Sequence, residues 1–316
     1  MSFFKFGENV KVITIAGNKG GIGKSTIALT LSQYLSEEKG MNGAFIDLDP
    51  QGNSSSSLIP MTRDPAHPTG YMPKPHPEWD PENPPEDDPH WDGISSIADI
   101  FMGRSIYAYQ TWLKNLHCFP SFASLLEDAQ RVLKIDVKEK VINRLKEFTD
   151  LLSKKSDFEF IVIDTNPQFG PLTMAGLRAA THALLPTELE QYGINGTMGM
   201  IGAISQEQLR RPKDNSIQIA GILPNQVRRT AVHNKFLNDL RSIDGSEKWL
   251  LPSIALRTIY AELVVEDARP NCVFNLSPSN PARKESEKWC SYVFERVFEN
   301  TYKKINYEEE EAIYGD

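Results

Sequence analysis

Short, almost wholly apolar runs alternate along this chain with longer segments in which apolar residues recur every three or four positions. The runs predict buried strands, and the longer segments predict helices. The predicted strands cover residues 10–16, 43–49, 115–121, 160–164, 182–188 and 217–223. The predicted helices cover residues 26–35, 94–101, 137–152, 171–180, 192–209 and 278–302.

This alternation indicates an α/β protein with a mostly parallel twisted sheet and helices on both faces. Each strand–helix–strand unit is expected to form a right-handed crossover, which makes neighbouring strands parallel. The 316 residues, 40% of them hydrophobic, suffice for a substantial core, and we expect one domain over residues 1–316. Ligands of such sheets gather at the carboxyl ends of the strands.

A glycine-rich turn after the first predicted strand carries the strongest chemical signal. Gly17 and the string Gly23-Lys24-Ser25 fit the pattern G-x-x-x-x-G-K-[ST] of a P-loop. Glycines let backbone N–H groups line an anion nest, and the following helix adds its positive end. We therefore expect Lys24 to reach the β- and γ-phosphates of a nucleotide and the Ser25 hydroxyl to ligate Mg²⁺. The predicted phosphate-binding residues are Gly20, Gly21, Ile22, Gly23, Lys24, Ser25 and Thr26.

A second lysine, Lys19, lies inside this turn. The string from Lys19 to Ser25, KGGIGKS, resembles the deviant Walker A motif of the ParA/MinD group of P-loop ATPases. In that group the extra lysine crosses a dimer interface and touches the ATP held by the other subunit. The resemblance implies the same role for Lys19, and a P-loop NTPase architecture for the chain.

Two further strings carry carboxylates. The segment 47–53, DLDPQGN, resembles the Asp-x-Asp-Pro-Gln-Gly-Asn segment of ParA proteins, which implies that Asp49 positions or activates the attacking water and that Asp47 supports the metal shell. Asp164 ends a buried strand of the Walker B type and is predicted to hold the Mg²⁺ shell. The family commonly has a proline where this chain has Asn166. The predicted metal-site residues are Ser25, Asp47 and Asp164.

Residues 60–92 differ in kind, because they are acidic and contain ten prolines. Prolines at this density disfavour regular helix and central strand, so we predict an extended surface insertion, partly polyproline II. Trp79 and Trp91 could anchor a partner there, although a plain solvated loop is favoured. The acidic tail at 305–316 is predicted to be frayed.

The net charge of −8 disfavours nucleic acid at first sight, but the charge is unevenly spread. Residues 78–92 carry seven acids and 308–316 carry five, whereas 205–260 hold nine Lys or Arg against five acids. A local basic face is therefore compatible with an acidic protein. The candidates for contacting DNA phosphates are Arg210, Arg211, Arg228 and Arg229. The resemblance also implies that Asn225, after the last predicted strand, reads the adenine edge.

The resemblance implies a Mg²⁺-dependent ATPase that forms an ATP-bridged homodimer, binds DNA without sequence preference and partitions a DNA cargo. A ParB-like adaptor would stimulate its hydrolysis, and the protein would be cytoplasmic and nucleoid-associated when ATP-bound. Two alternatives stay open: a positioning ATPase for a protein cargo, and a MinD-like membrane switch. Four glutamates after Lys303 and Lys304 disfavour the membrane switch. Three scattered cysteines disfavour a metallocluster carrier, and the few residues before Val10 leave no room for a helix-turn-helix.

Overall fold

The computed structural model describes residues 10–86, 88–213, 215–242, 248–263 and 271–301. The predicted acidic tail at 305–316 and the end of the predicted last helix lie outside the described residues. So do the N-terminal residues before Val10.

The strands confirm the predicted mostly parallel sheet. Seven of them form one sheet in the order β5-β6-β2-β7-β1-β8-β9, and β3 and β4 form a separate two-stranded sheet. Parallel pairs join β2 to β6, β2 to β7 and β8 to β9, whereas β5 is antiparallel to β6. The strands are β1 Lys11–Ile15, β2 Gly43–Asp47, β3 Met61–Arg63, β4 Tyr71–Pro73, β5 Tyr109–Gln110, β6 Leu116–Phe119, β7 Phe160–Asp164, β8 His182–Thr187 and β9 Gln218–Pro224.

The helices follow the predicted order, with shifted ends and several additions. The predicted helix at 94–101 is reduced to one turn at 99–102, and the helices at 53–58, 123–130 and 231–242 were not predicted. The helices are α1 Lys24–Gln33, α2 Asn53–Leu58, α3 Asp99–Met102, α4 Ala123–Gln130, α5 Ile135–Lys155, α6 Pro171–Ala179, α7 Gln191–Gln208, α8 Ala231–Ser242, α9 Ile259–Glu262 and α10 Pro281–Phe298.

The chain divides into two compact units, and the first comprises residues 1–14 and 35–180. Its core consists of strand residues such as Ile46 and Ile163 packed with helix residues such as Leu145 and Leu172. Strands β2 and β7 pair in register from Gly43 opposite Phe160 onward. All ten residues of these two strands are buried, as expected for parallel strands covered on both faces.

The second unit comprises residues 15–34 and 181–316. Strands β8 and β9 pair in parallel, with an irregularity between Ala183 and Leu184. The helix α10 supplies Trp289 and Arg296, both buried, to its core. The Arg296 guanidinium donates to the carbonyl oxygen of Ala220 at 2.9 Å and to that of Leu250 at 3.3 Å, so this buried charge satisfies backbone acceptors.

The proline-rich insertion is more ordered than the expected solvated loop, because β3 and β4 form a hairpin that packs on α4. The Asp64 carboxylate accepts the N–H groups of Ser124 and Ala66, both at 2.8 Å. His67 Nδ1 accepts the Gly70 N–H at 2.7 Å, so Nε2 carries the hydrogen that bonds Glu127 at 2.9 Å.

The two tryptophans of the insertion, Trp79 and Trp91, are half-buried and contact other residues of the same chain. The Trp91 ring lies 4.2 Å from the Tyr107 ring, and its Nε1 donates to the Ile94 carbonyl at 2.8 Å. Trp79 covers Gly93, where an added Cβ would lie 2.3 Å from the indole. The prolines therefore shape this segment without preventing it from packing.

Replacing Asp64 by asparagine is expected to destabilise the fold by about 1 kcal/mol at pH 7. Burial alone would raise the pKa of Asp64, but the N–H donors of Ser124 and Ala66 outweigh it and lower the pKa. The stabilisation is therefore present above the unfolded pKa and is lost as the pH falls through the folded pKa. Urea unfolding of both proteins at pH 7, and again below pH about 4, should show the difference shrinking in acid.

The matched control is Glu82→Gln, which removes an exposed acid of the same insertion. It should change the free energy of unfolding little at either pH. A difference for Asp64→Asn that stays constant with pH would contradict a role for its charge.

Candidate functional site

The glycine-rich loop between β1 and α1 adopts the conformation that its glycines allow. Gly21 and Gly23 have φ of 80° and 82°, in the left-handed region that glycine enters without strain. Gly23 is the N-cap of α1, and its carbonyl accepts the Ile27 N–H at 2.9 Å. A Cβ at Gly23 would lie 2.3 Å from the Asn225 amide nitrogen. The loop therefore ends at the N-terminus of a ten-residue helix, a site suited to an anion.

Lys24, at the first position of α1, is folded back over this loop. Its residue is only 6% exposed, and Nζ donates to the Lys19 carbonyl oxygen at 3.0 Å. Ser25 and Thr26, which follow it, are half-buried. In this arrangement a cation and the helix N-terminus lie together, which suits the negative charge of phosphates.

Lys19 is held by two glutamates of its own chain. Its Nζ donates to carboxylate oxygens of Glu188 and Glu190, which follow β8. The pKa of Lys19 is raised, mainly by its hydrogen bond to Glu188 and then by its hydrogen bond to Glu190. The same interaction with Lys19 lowers the pKa of Glu190. The Lys19 side chain is 34% exposed, so this cluster lies at the surface.

Asn225 and Gln226, directly after β9, brace the loop from outside. Asn225 is buried and its side-chain amide donates to the Ile22 carbonyl at 2.9 Å. Gln226 has φ of 56°, and its amide donates to the Gly21 carbonyl at 2.5 Å. The Asn225 amide, expected to read an adenine edge, is thus engaged with the loop backbone.

A cavity of about 330 Å³ lies beside the loop, and Asn225 lines it. It is mainly apolar, which suits a flat aromatic ring. Arg257 and Tyr260 also line it: Arg257 makes a bidentate pair with Glu285, at 2.6 and 3.1 Å, and the Tyr260 hydroxyl contacts Ser286 at 3.0 Å. Further lining residues are Gly23, Thr26, Ile27, Ile254, Leu256 and Trp289.

In the first unit, β2 and β7 end side by side on carboxylates. Their register sets Asp47 opposite Asp164, and both are fully buried. Ser55 donates to Asp47 through its N–H at 2.9 Å and its hydroxyl at 2.7 Å, and the Ser54 hydroxyl donates to Asp164 at 2.7 Å. The strand pairing therefore brings together two of the three predicted metal-site residues, and α2 supplies their donors.

The pKa of Asp47 lies well above its usual range. Burial is the largest cause, and the negative charges of the neighbouring Asp164 and Asp49 raise the pKa further. Carboxylate and hydroxyl oxygens of this kind are the ligands that Mg²⁺ prefers. Among the described residues, no group of three or more His, Cys, Asp and Glu side chains has the arrangement of a metal site.

Asp49 lies two residues further on, in the turn before α2, and is half-buried. Its N–H donates to Asp47 Oδ1 and its own Oδ1 accepts the Gln51 N–H, both at 3.0 Å. The Ser121 hydroxyl donates to the Asp49 carbonyl at 2.7 Å. These bonds fix the backbone and the carboxylate of Asp49 in one turn.

The four arginines considered for DNA contact differ in exposure. Arg210, Arg228 and Arg229 are exposed. The Arg211 side chain is only 5% exposed, and its Nε lies 3.6 Å from Glu207, whose side chain is fully buried. Because Arg211 is committed to this buried pair, the structure removes it from the candidate phosphate contacts.

Several site residues were not predicted from the sequence. The four serines after Asn53 could have indicated Ser54 and Ser55, because hydroxyl groups that follow a strand ending in aspartate can donate hydrogen bonds to its carboxylate. Glu188 also ends a predicted strand, where ligand-binding residues of parallel sheets gather. The unpredicted residues are Ser54, Ser55, Ser121, Glu188, Glu190 and Gln226.

A family profile described as an AAA domain (AAA_31) matches residues 10–219. The chain belongs to this AAA-domain family. Protein IncC from Escherichia coli is 25% identical over 292 residues, covering 92% of this chain and 71% of the relative. The chromosome-partitioning ATPase Soj from Thermus thermophilus is 23% identical over 223 residues, covering 68% of each. These matches confirm the resemblance to the ParA group predicted from the lysine-containing loop.

Solved structures confirm the P-loop ATPase fold. An ATP complex of a McdA variant from Cyanothece has a TM-score of 0.68 at 19% identity, covering 92% of this chain and 96% of that one. A putative plasmid partition protein from Borrelia burgdorferi bound to AMPPNP scores 0.65 at 19% identity, covering 92% and 100%. The septum site-determining protein MinD from Pyrococcus horikoshii with Mg-ADP scores 0.61 at 18% identity, covering 94% and 100%. Within the described part of the AAA-domain chain, no helix is both long and apolar enough to cross a bilayer.

Replacing Gly23 by alanine is expected to weaken nucleotide binding at least tenfold. A side chain in the left-handed conformation costs about 1–2 kcal/mol, and the new methyl would also push Asn225 away from the loop. Titration with a fluorescent ATP analogue measures the affinity, and the melting temperature separates this loss from unfolding.

The matched control for Gly23→Ala is Gly202→Ala, in the middle of α7, where an added Cβ meets nothing within 4 Å. Its nucleotide affinity should equal that of the unaltered protein. Equal affinity for Gly23→Ala would refute the interpretation of this loop as the phosphate cradle.

Proposed function

We propose that this chain is a ParA-type ATPase that forms an ATP-bridged dimer and positions a DNA cargo together with an adaptor that stimulates hydrolysis. The observation that carries the proposal is the loop before α1, in which left-handed glycines, a helix N-terminus and two lysines occur together. The relatives named as a chromosome-partitioning ATPase and a chromosome partitioning protein support the biological role.

ATP with Mg²⁺ is the proposed ligand. The residues around the loop fit it, because an added Cβ at Gly23 would fill space beside Asn225 and the adjoining cavity is apolar. Lys24 and the loop N–H groups would hold the phosphates, and the cavity beside Asn225 would hold the base. Ser25, Asp47 and Asp164 are the proposed residues of the metal shell, with oxygen donors that suit Mg²⁺. The bound metal would offset phosphate charge.

Asp49 is the proposed residue that orients the attacking water. Its carboxylate is fixed by the Gln51 N–H, and its backbone is fixed by Ser121 and by Asp47. A carboxylate held in one orientation can accept a hydrogen bond from the attacking water without first reorganising, which lowers the barrier. Catalysis in such ATPases is mostly positioning and charge placement.

Lys19 is proposed to act between subunits, on the ATP held by a second copy of the chain. Its position inside the loop and its partial exposure support this role, since an ammonium at the surface can reach a partner. In the dimer, two lysines from different chains would share the charge of each triphosphate.

DNA binding without sequence preference is proposed for the exposed arginines of the second unit. Arg210, Arg228 and Arg229 supply positive charge at the surface in an otherwise acidic protein. Phosphate contacts of this kind make affinity fall steeply with salt.

Positioning of a protein cargo is the second candidate, because the loop that carries the proposal would serve an ATPase with either kind of cargo. The MinD-like membrane switch depended on residues 302–307, which lie outside the described residues. Binding of the ATP-loaded protein to DNA and not to anionic lipid vesicles would separate the membrane switch from the other two candidates.

Replacing Asp49 by alanine is expected to leave ATP binding unchanged and to lower the hydrolysis rate at least a hundredfold. The carboxylate serves the attacking water and not the bound nucleotide, so only the chemical step should suffer. Phosphate release under saturating ATP measures the rate, and analogue titration measures the affinity. Asp80→Ala, an exposed acid of the insertion, is the control. Hydrolysis at the normal rate in Asp49→Ala would exclude this role.

Replacing Arg228 and Arg229 together by alanine is expected to weaken ATP-dependent DNA binding and to reduce the slope of log affinity against log salt by about two. Each arginine that contacts a phosphate releases about one counterion. Fluorescence anisotropy with two DNA duplexes of unrelated sequence, between low and moderate salt, measures both quantities. Lys134→Ala with Lys140→Ala removes two exposed charges from the other unit and serves as the matched control. An unchanged salt slope in the arginine variant would show that these residues do not contact DNA phosphates.

A further inference from the structure

The turn between β8 and α7 brings two carboxylates to one ammonium. Glu188 and Glu190 both accept hydrogen bonds from Lys19 Nζ, and their side chains are 20% and 46% exposed. This cluster carries one net negative charge. A triphosphate approaching Lys19 from a second copy would therefore be repelled as long as both carboxylates stay in place.

The positions of these carboxylates are fixed by the backbone of the turn. The Glu190 N–H donates to the Glu188 carbonyl at 2.9 Å, and a Cβ at Gly193 would lie only 2.3 Å from that same carbonyl. The Glu190 residue precedes α7, but its side chain makes no capping bond to the helix and is instead directed to Lys19. The turn thus presents both acids to the lysine without needing to rearrange.

The two lysines of the loop are linked to each other. Lys24 Nζ donates to the Lys19 carbonyl oxygen at 3.0 Å. A triphosphate bound in the loop competes for the Lys24 ammonium, because charged phosphate oxygens are stronger acceptors than a neutral carbonyl. Nucleotide binding therefore removes one of the bonds that hold residue 19 in its present position.

We infer that Glu188 and Glu190 are positioning residues that hold the Lys19 ammonium on its own chain until nucleotide draws Lys24 away from the Lys19 carbonyl. This inference rests on the proposed function, since it assumes that Lys19 acts on the ATP of a second copy. It supplies a physical reason for dimerisation to require ATP: two carboxylates of the same chain engage the lysine that would otherwise join the two copies. Glu188 and Glu190 thereby set the threshold for dimerisation without touching the nucleotide of their own chain.

The test is the double variant Glu188→Gln/Glu190→Gln, with the dimer dissociation constant measured by sedimentation in a non-hydrolysable ATP analogue and in ADP. We expect the analogue-bound dimer to tighten about threefold to tenfold, the range that two partly exposed ion pairs supply. Affinity of the single chain for the analogue should not change. Glu287→Gln, which removes an acid paired with Arg283 on α10, is the matched control and should leave dimerisation unchanged.

A double-mutant cycle with Lys19→Ala separates positioning from a general structural effect. Because Lys19→Ala is expected to abolish the dimer, adding the glutamate substitutions to it should not restore dimerisation, whereas a restored dimer would indicate a general effect of removing two negative charges. If Lys19→Ala abolishes the dimer but the glutamate variant dimerises no more tightly than the unaltered protein, the positioning role is refuted and the proposed function stands. If Lys19→Ala dimerises as the unaltered protein does, the proposed function itself fails. Should the double variant not fold, Glu190→Gln alone removes the more exposed carboxylate and is expected to tighten the dimer in the same direction.

Discussion

The parallel pairing of buried strands is the constraint on which the chemistry of this chain depends. A strand covered on both faces leaves little room for charged side chains, so these collect where the strand ends. The loop follows β1, Asp47 ends β2, Asp164 ends β7, Glu188 follows β8 and Asn225 follows β9. Each of these groups stands at a carboxyl end, where ligands of parallel sheets bind.

The polar and charged groups in and near the sites find partners within the chain. Lys24 is held by a carbonyl, Lys19 by two carboxylates, and Asp47 by donors from Ser55. Buried polar groups without a partner are costly, and these hydrogen bonds remove that cost. In the proposed function, the Lys19 carbonyl is the partner that a bound triphosphate would replace at Lys24.

The hairpin insertion shows how a segment with little regular propensity gains order from a few fixed contacts. Its prolines limit it to three-residue strands, but Asp64 and His67 attach it to α4. Gly70 lies so close to Ala123 that a Cβ there would be 2.2 Å from the alanine methyl. Because these contacts join residues about 60 positions apart, no local pattern of the sequence foretold them.

Local patterns in the sequence determined the fold class, the main strands and the glycine-rich loop before α1. Apolar runs, glycines that allow a positive φ and the start of a helix each depend on residues that are neighbours in sequence. They could also have revealed α8, whose apolar residues recur at 232, 236 and 240. Tertiary structure alone decided that Arg211 is buried against Glu207, that the Asn225 amide bonds the loop and that Glu188 and Glu190 hold Lys19. The Asn225 and Lys19 contacts join residues far apart along the chain, and even the short-range Arg211 pair owes its burial to the surrounding packing. The partner that a polar side chain finds therefore depends on the packed fold and not on the identity of the side chain.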